Sequence, residues 1–183
     1  MKIHEFRMDK LNQTNSNNRT LFESVVVSEV LQALQDWSKS SKNGVLIGGL
    51  ALSYHIKPRH TQDIDMIYLS GDDIPANVTG FKKIRKLSFQ HNQTHVEVEV
   101  LPASFINKVK GLVDHVIKTS STLDNINVAS ANGLVALKLS RFSRQDQADI
   151  EQLIIHADAN IDEYKQWLSV SDIQNFMSIK NSI

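Results

Sequence analysis

With 183 residues, 41% of them apolar and 22% charged, the chain has enough hydrophobic material for one ordinary domain and is not a disordered tail. It contains no cysteine, which excludes disulfide frameworks, thiolate zinc sites and thiol catalysis. Twenty basic residues balance twenty acidic ones, which argues against a polybasic nucleic-acid binder while leaving room for a local basic patch.

The N-terminal MKIHEFRMDK has no apolar run behind its charges, so no signal peptide is expected. The longest apolar stretch, Val45 to Tyr54, is broken by two glycines and is far too short for a bilayer span. The expectation is a soluble cytoplasmic protein with no membrane partner. Its layout reads as a single domain over 1–183, with an arm or loop at 1–19, a mixed-sheet core at 20–129 and a helical part at 130–183. The arm is expected from the Asn-rich run Asn12 to Asn18, whose short amides compete with the backbone for hydrogen bonds.

Thr20 with Glu23 forms a capping-box pair opening a first helix. Phe22, Val26, Val30, Leu34 and Trp37 follow as one apolar stripe, and Ser38 to Asn43 end it. Gly44 to Ile47 reads as a strand buried on both faces. Gly48-Gly49 breaks it, and Leu50 to Ile56 reads as a short helix. Asp63 to Leu69 alternates as a second strand, and Gly71 to Gly80 is a loop. Lys86 to His91 and His95 to Leu101 form a hairpin around Asn92-Gln93-Thr94. Phe105 to Val113 is expected to be helical, and His115 to Thr119 to pair with Asn125 to Val128 as a further hairpin. From Ser130 onward the pattern is helical, with a second capping box at Asn160 and Glu163 and a cap at Ser171 for the last helix. This order predicts an α/β (α+β) fold: a small mixed β-sheet flanked by helices, with a C-terminal helical part.

The chemistry concentrates between Gly48 and Asp65. Alternate strand residues share a face, so Arg59, Thr61, Asp63 and Asp65 point one way while Ile64 and Met66 point into the core. Two carboxylates about 7 Å apart along a strand repel each other unless a cation lies between them. Oxygen ligands without cysteine or histidine suit Mg²⁺ better than zinc. The Gly48-Gly49 turn leaves backbone amides bare at a helix start, where phosphate groups bind. A phosphate seat beside magnesium carboxylates indicates phosphoryl or nucleotidyl transfer.

Gly48-Gly49, a thirteen-residue spacer, then Asp63-Ile-Asp65 resembles the motif of the DNA polymerase β-like nucleotidyltransferase superfamily. The form Gly-Gly…Arg-x-Thr-x-Asp-Ile-Asp looks most like the AbiEii-type group, which includes toxins of toxin–antitoxin and abortive-infection systems. Asn132 to Leu139 and Arg144 to Leu153 are similar to that family's helix ending in a lysine and its following Asp-x-x-Asp helix. The resemblance implies a nucleotidyltransferase fold, with Gly48 and Gly49 on the nucleotide phosphates and Arg59 and Thr61 in the same nucleotide-binding set. It implies Mg²⁺ (or Mn²⁺) on Asp63 and Asp65, Lys138 neutralising the triphosphate, and Asp146 or Asp149 completing the last motif. A third carboxylate is implied on a neighbouring strand, to complete the metal site and help deprotonate the acceptor hydroxyl. Glu99 fits that place best and Glu97 is the reserve. Two positions depart from the family pattern: Gly49 where a serine is frequent, and a glutamate where an aspartate is common.

The expected activity is transfer of a nucleoside monophosphate from a nucleoside triphosphate to an acceptor hydroxyl. The resemblance makes RNA, specifically tRNA, the leading acceptor, with an antitoxin protein as a possible partner. A small aminoglycoside-like acceptor and a degenerate member that binds nucleotide or partner without turnover are the alternatives. Lys82, Lys83, Arg85 and Lys86 form a basic run that either is a solvated face or steers an RNA backbone, and Arg141 and Arg144 could add to it. His91 and His95 read as a polar rim, His55, His60, His115 and His156 as structural or surface residues, and Trp37 and Trp167 as core.

Overall fold

The computed structural model describes residues 28–41, 43–56, 61, 63–106 and 110–183. The arm at 1–19, the Thr20–Glu23 cap, Phe22, Val26, Arg59 and His60 lie outside the described residues.

Val45-Leu46-Ile47 carries no polar side chain, and all three residues are buried in β1 (Val45–Ile47), a strand inside a seven-stranded sheet. The other strands are β2 (Ile64–Tyr68), β3 (Phe81–Arg85), β4 (Ser88–His91), β5 (Glu97–Pro102), β6 (Ser121–Leu123) and β7 (Ile126–Val128). Their spatial order is β3-β4-β5-β2-β1-β7-β6. β2 runs antiparallel to β1 and parallel to β5, while β1 runs parallel to β7, so the sheet is mixed as the element order predicts.

Helix α1 (Ser28–Ser40) turns Val30, Ala33, Leu34 and Trp37 inward. The Trp37 ring is fully buried, edge-on to Phe81 and Phe89, and its indole N–H donates to the Tyr68 hydroxyl at 3.0 Å. Helix α2 (Gly48–His55) has no polar stripe, and Gly49 to Tyr54 are all buried. An all-round apolar helix needs cover on every side. It receives this from β1 and β2 and from α5 (Ala131–Arg141) and α6 (Arg144–Ala157). The C-terminal helices α5 and α6 therefore pack on α2, which itself packs on β1 and β2. In chain order α3 (Ala103–Ile106) and α4 (Lys110–Lys118) fall between β5 and β6, and α7 (Val170–Ser182) is last. No helix among the described residues is long and apolar enough to cross a membrane.

Several local expectations need correction. His115 to Thr119 is not a strand, because α4 runs on to Lys118 and buries Leu112, Val113 and Val116 at helical spacing. The hairpin is instead β6–β7, turned by Asp124 and Asn125 at positive φ (46° and 67°), a two-residue turn those side chains tolerate. The segment from Phe81 to Arg85 forms edge strand β3, which its charges concealed. Asn160 accepts the Asp162 N–H but opens only a turn, followed by a 3₁₀ segment at Lys165–Trp167. Ser169, not Ser171, caps α7, in a reciprocal box with Asp172. His91 is not a rim residue: it is 2% exposed, with one ring nitrogen 2.8 Å from Thr94 Oγ1 and the other 3.3 Å from Asp36.

Candidate active site

The parallel pairing of β2 with β5 sets Asp65 directly beside Glu99. Their neighbours Ile64, Met66, Val98 and Val100 are buried, so both carboxylates emerge on the other face of the sheet. Asp63, exposed just before β2, joins them on the wall of a cleft of about 820 Å³. That volume lies within the roughly 300–1,000 Å³ range of small-molecule sites. Burial, then the charges of Glu99 and Asp63, push the Asp65 carboxyl up to about 6, against the opposing pull of Arg141 and Lys138.

Gly48 and Gly49 open α2 on the same cleft. Gly48 has φ 68°, and a β carbon there would overlap the Asp65 carboxylate. A β carbon on Gly49 would come within 3.2 Å of Thr61 Oγ1. Residue Ile47 offers α2 no side-chain cap, so the first-turn amides have no capping partner there.

The basic side comes from α5 and α6. Lys138 is 7% exposed, and its ammonium lies 2.7 Å from Asp149 and 3.3 Å from Asp146. Arg141, one turn along, gives two hydrogen bonds of 2.7 and 2.6 Å to the two oxygens of Asp146 while its side chain stays 71% exposed at the cleft. The Ser143 amide and hydroxyl also donate to Asp146, closing the box that starts α6. Burial alone would raise the Asp146 carboxyl, but the hydrogen bonds from Arg141 and Ser143 and the Lys138 charge hold it well below the usual carboxylate range.

A family model described as a nucleotidyltransferase of unknown function (DUF6036) matches residues 21–182. The chain belongs to this nucleotidyltransferase family. No curated protein matches it.

Within this nucleotidyltransferase, Gly48, Gly49, Thr61, Asp63, Asp65, Glu99, Lys138 and Asp146 all line one cleft. Asp149 sits behind that wall, on Lys138. Arg85 also reaches the cleft and pairs with Glu97 at 3.5 Å, whereas Lys82, Lys83 and Lys86 are exposed outside it. Glu97 is thus engaged by Arg85, and Glu99 is the carboxylate in register with Asp65. Arg141 is the cleft cation that the sequence reading undervalued, although its spacing of three from Lys138 places both on one helix face.

Among the described residues no three His, Asp or Glu side chains already converge as a metal cage. Mg²⁺ does not require one, since it is typically held by one or two carboxylates together with substrate phosphates and water. The Asp65–Glu99 pair, whose Asp65 carboxyl is raised by burial first and by the Glu99 charge next, fits that donor set. His55, by contrast, is structural: a ring nitrogen lies 2.7 Å from the Ala129 carbonyl, joining the end of α2 to the end of β7, and burial lowers its pKa.

Proposed function

We propose that this protein is a divalent-cation-dependent nucleotidyltransferase that moves a nucleoside monophosphate from a nucleoside triphosphate to a hydroxyl of RNA. The observation that carries this reading is Asp65 beside Glu99 on the cleft that Arg141 and the Gly48-Gly49 turn also line. Asp65 and Glu99, with Asp63, would hold Mg²⁺ or Mn²⁺ together with the nucleotide phosphates. Such a cation, when bound, neutralises and orients the triphosphate.

The chain's own groups do the rest. The amides at the start of α2 receive phosphate oxygens. Arg141, its guanidinium fixed by two bonds to Asp146, meets negative charge building on the phosphates, and Lys138 adds its charge from behind. Glu99, exposed at the cleft, takes the proton of the acceptor hydroxyl. The acceptor oxygen bonds to the α-phosphorus, the α–β anhydride bond breaks, and pyrophosphate leaves.

RNA is favoured over a small acceptor because Arg85 links the exposed basic strand β3 to the cleft. Lys82 and Lys86 stand exposed on either side of this link, while Lys83 lies over the Phe89 ring at 5.3 Å. The likeness to the AbiEii-type group supports tRNA as the RNA, and a toxin role with an antitoxin partner. Incubation with each labelled nucleoside triphosphate, Mg²⁺ and total tRNA, read on a gel, tests the proposal. Labelled tRNA with wild-type protein supports it, and no labelled product with any of the four nucleotides contradicts it.

A further inference from the structure

One row of side chains runs in register across five strands of the sheet, from β1 to β3. Ile47 pairs with Asp65, Asp65 with Glu99, Glu99 with Ser88, and Ser88 with Arg85. Directly opposed residues share a face, so all five point to one side. Ile47, Asp65, Glu99 and Arg85 line the cleft, and Ser88 is buried between the last two. Arg85 joins this row only through a β-bulge. Lys82 pairs with Gln90 and Lys83 with Phe89, but Arg85, not Ile84, pairs with Ser88. The extra residue turns Arg85 over, from the side of Lys83 to the side of Glu99. Lys83 stays on the opposite face, its ammonium 5.3 Å from the centre of the Phe89 ring.

At about 4.8 Å per strand, the Arg85 backbone stands about 10 Å from Glu99 and about 19 Å from the end of β1, where the Gly48-Gly49 turn begins. Arg141 and Lys138 lie at the other end, close enough to Asp65 to oppose the rise of its carboxyl. The cleft therefore has two cationic ends with the carboxylates between them. The Arg85 guanidinium is 3.5 Å from Glu97, which precedes Glu99 by about 7 Å on the same face of β5. That step is on the scale of one nucleotide. The Arg85 side chain is 71% exposed, and a guanidinium has several N–H donors, so one contact of this length does not occupy it. A triphosphate at the Gly48-Gly49 end leaves the Glu99 side to the attacking hydroxyl. At the end of a polynucleotide, that hydroxyl is followed one sugar away by a phosphodiester. We propose that Arg85 is the acceptor-specificity residue, its guanidinium binding the phosphodiester next to the reacting hydroxyl. This rests on the nucleotidyltransferase reading above and replaces diffuse attraction along β3 by one charged contact in the cleft.

The test uses the full chain with Mg²⁺ and a synthetic oligoribonucleotide that ends in a free 3′ hydroxyl. Two further versions carry an uncharged methylphosphonate, one at the last linkage and one at the linkage before it. Affinity is read by fluorescence anisotropy of a 5′ label, and KM and kcat by transfer of an α-phosphate label. In wild type, neutralising the last linkage is expected to weaken binding and raise KM about tenfold with kcat little changed, and neutralising the linkage before it to do much less. Arg85→Gln is expected to lose about tenfold on the unmodified RNA and to be indifferent to the last linkage, the coupling that a direct contact requires. The comparison of RNAs on wild type stands even if the variant does not fold. Equal affinity of wild type for the three RNAs overturns the role of Arg85 and leaves the proposed activity standing. So does a folded Arg85→Gln that still senses the last linkage. Failure of wild type to label either this RNA or total tRNA overturns the nucleotidyltransferase reading itself.

Discussion

Asp65 and Glu99 stand side by side in the parallel register of β2 and β5, and this pairing places two negative charges on the same cleft wall. Without a cation the Asp65 carboxylate is disfavoured, first by its burial and then by the Glu99 and Asp63 charges, which together raise its carboxyl to about 6. Asp65→Asn is therefore expected to melt a few degrees above wild type in chelator at pH 7.5. Wild type is expected to gain stability on addition of millimolar Mg²⁺ with a nucleoside triphosphate, by mass action, and the variant to gain little. Scanning fluorimetry of both proteins, with and without ligand, checks this. Equal shifts in the two would remove Asp65 from the cation site.

Gly48 and Gly49 are expected to differ sharply on substitution. Gly48→Ala meets both a left-handed backbone and the Asp65 carboxylate, and the backbone alone costs about 1–2 kcal/mol. Gly49→Ala has no positive φ and meets Thr61 only a few tenths of an ångström too close, while alanine gains up to about 1 kcal/mol in helix propensity. Urea denaturation is expected to rank Gly48→Ala well below Gly49→Ala. Equal losses would contradict this geometry.

Much of this site is legible in the sequence, because its front half is local chemistry. Gly48-Gly49 breaks an apolar run, and period two aligns Thr61, Asp63 and Asp65. Glu99 and Glu97 have the same alternation, so choosing between them needs the β2–β5 register and the hold of Arg85 on Glu97, both long-range. The burial of Lys138 is equally illegible, since it depends on α6 folding back to present Asp146 and Asp149. β3 escaped because an edge strand carries lysines on an exposed surface, which reads as loop. His115 to Thr119 misled because a short apolar run has no period long enough to tell helix from strand.

Asp146 sets an acid limit on stability. Its folded-state carboxyl is held below the ordinary value of 3.8, so its contribution is complete above that pH and is lost as pH falls below it. Wild type is expected to lose melting temperature steeply below about pH 4. Asp146→Asn leaves Lys138 with Asp149 alone and removes the charged partner of the exposed Arg141, which is expected to cost about 1–3 kcal/mol at neutral pH, with a shallower decline in acid. Parallel melting curves from pH 5 to 2 would contradict this.

The basic strand separates an RNA acceptor from a small one. Each neutralised phosphate releases counterions, with a salt slope of about −0.7 to −0.9. Replacing Lys82, Lys83, Arg85 and Lys86 by serine is expected to weaken tRNA binding and flatten its dependence on salt. On the proposed reading triphosphate is held by Gly48, Gly49, Asp65 and Arg141. Its binding is expected to change little when Lys82, Lys83 and Lys86 alone are replaced, since of the four only Arg85 lines the cleft. Filter binding across a salt series measures the slope. Wild-type affinity and slope in the variant would make β3 only a solvated edge.

The most direct measurement is transfer of the α-phosphate label from a nucleoside triphosphate to tRNA by wild type and by folded Asp65→Asn, with Mg²⁺ present. The expected result is labelled RNA with wild type, and a loss of at least a hundredfold, about 2.7 kcal/mol, in the variant at unchanged secondary structure. Equal labelling by the two proteins would contradict the assignment of this cleft as the site of nucleotidyl transfer.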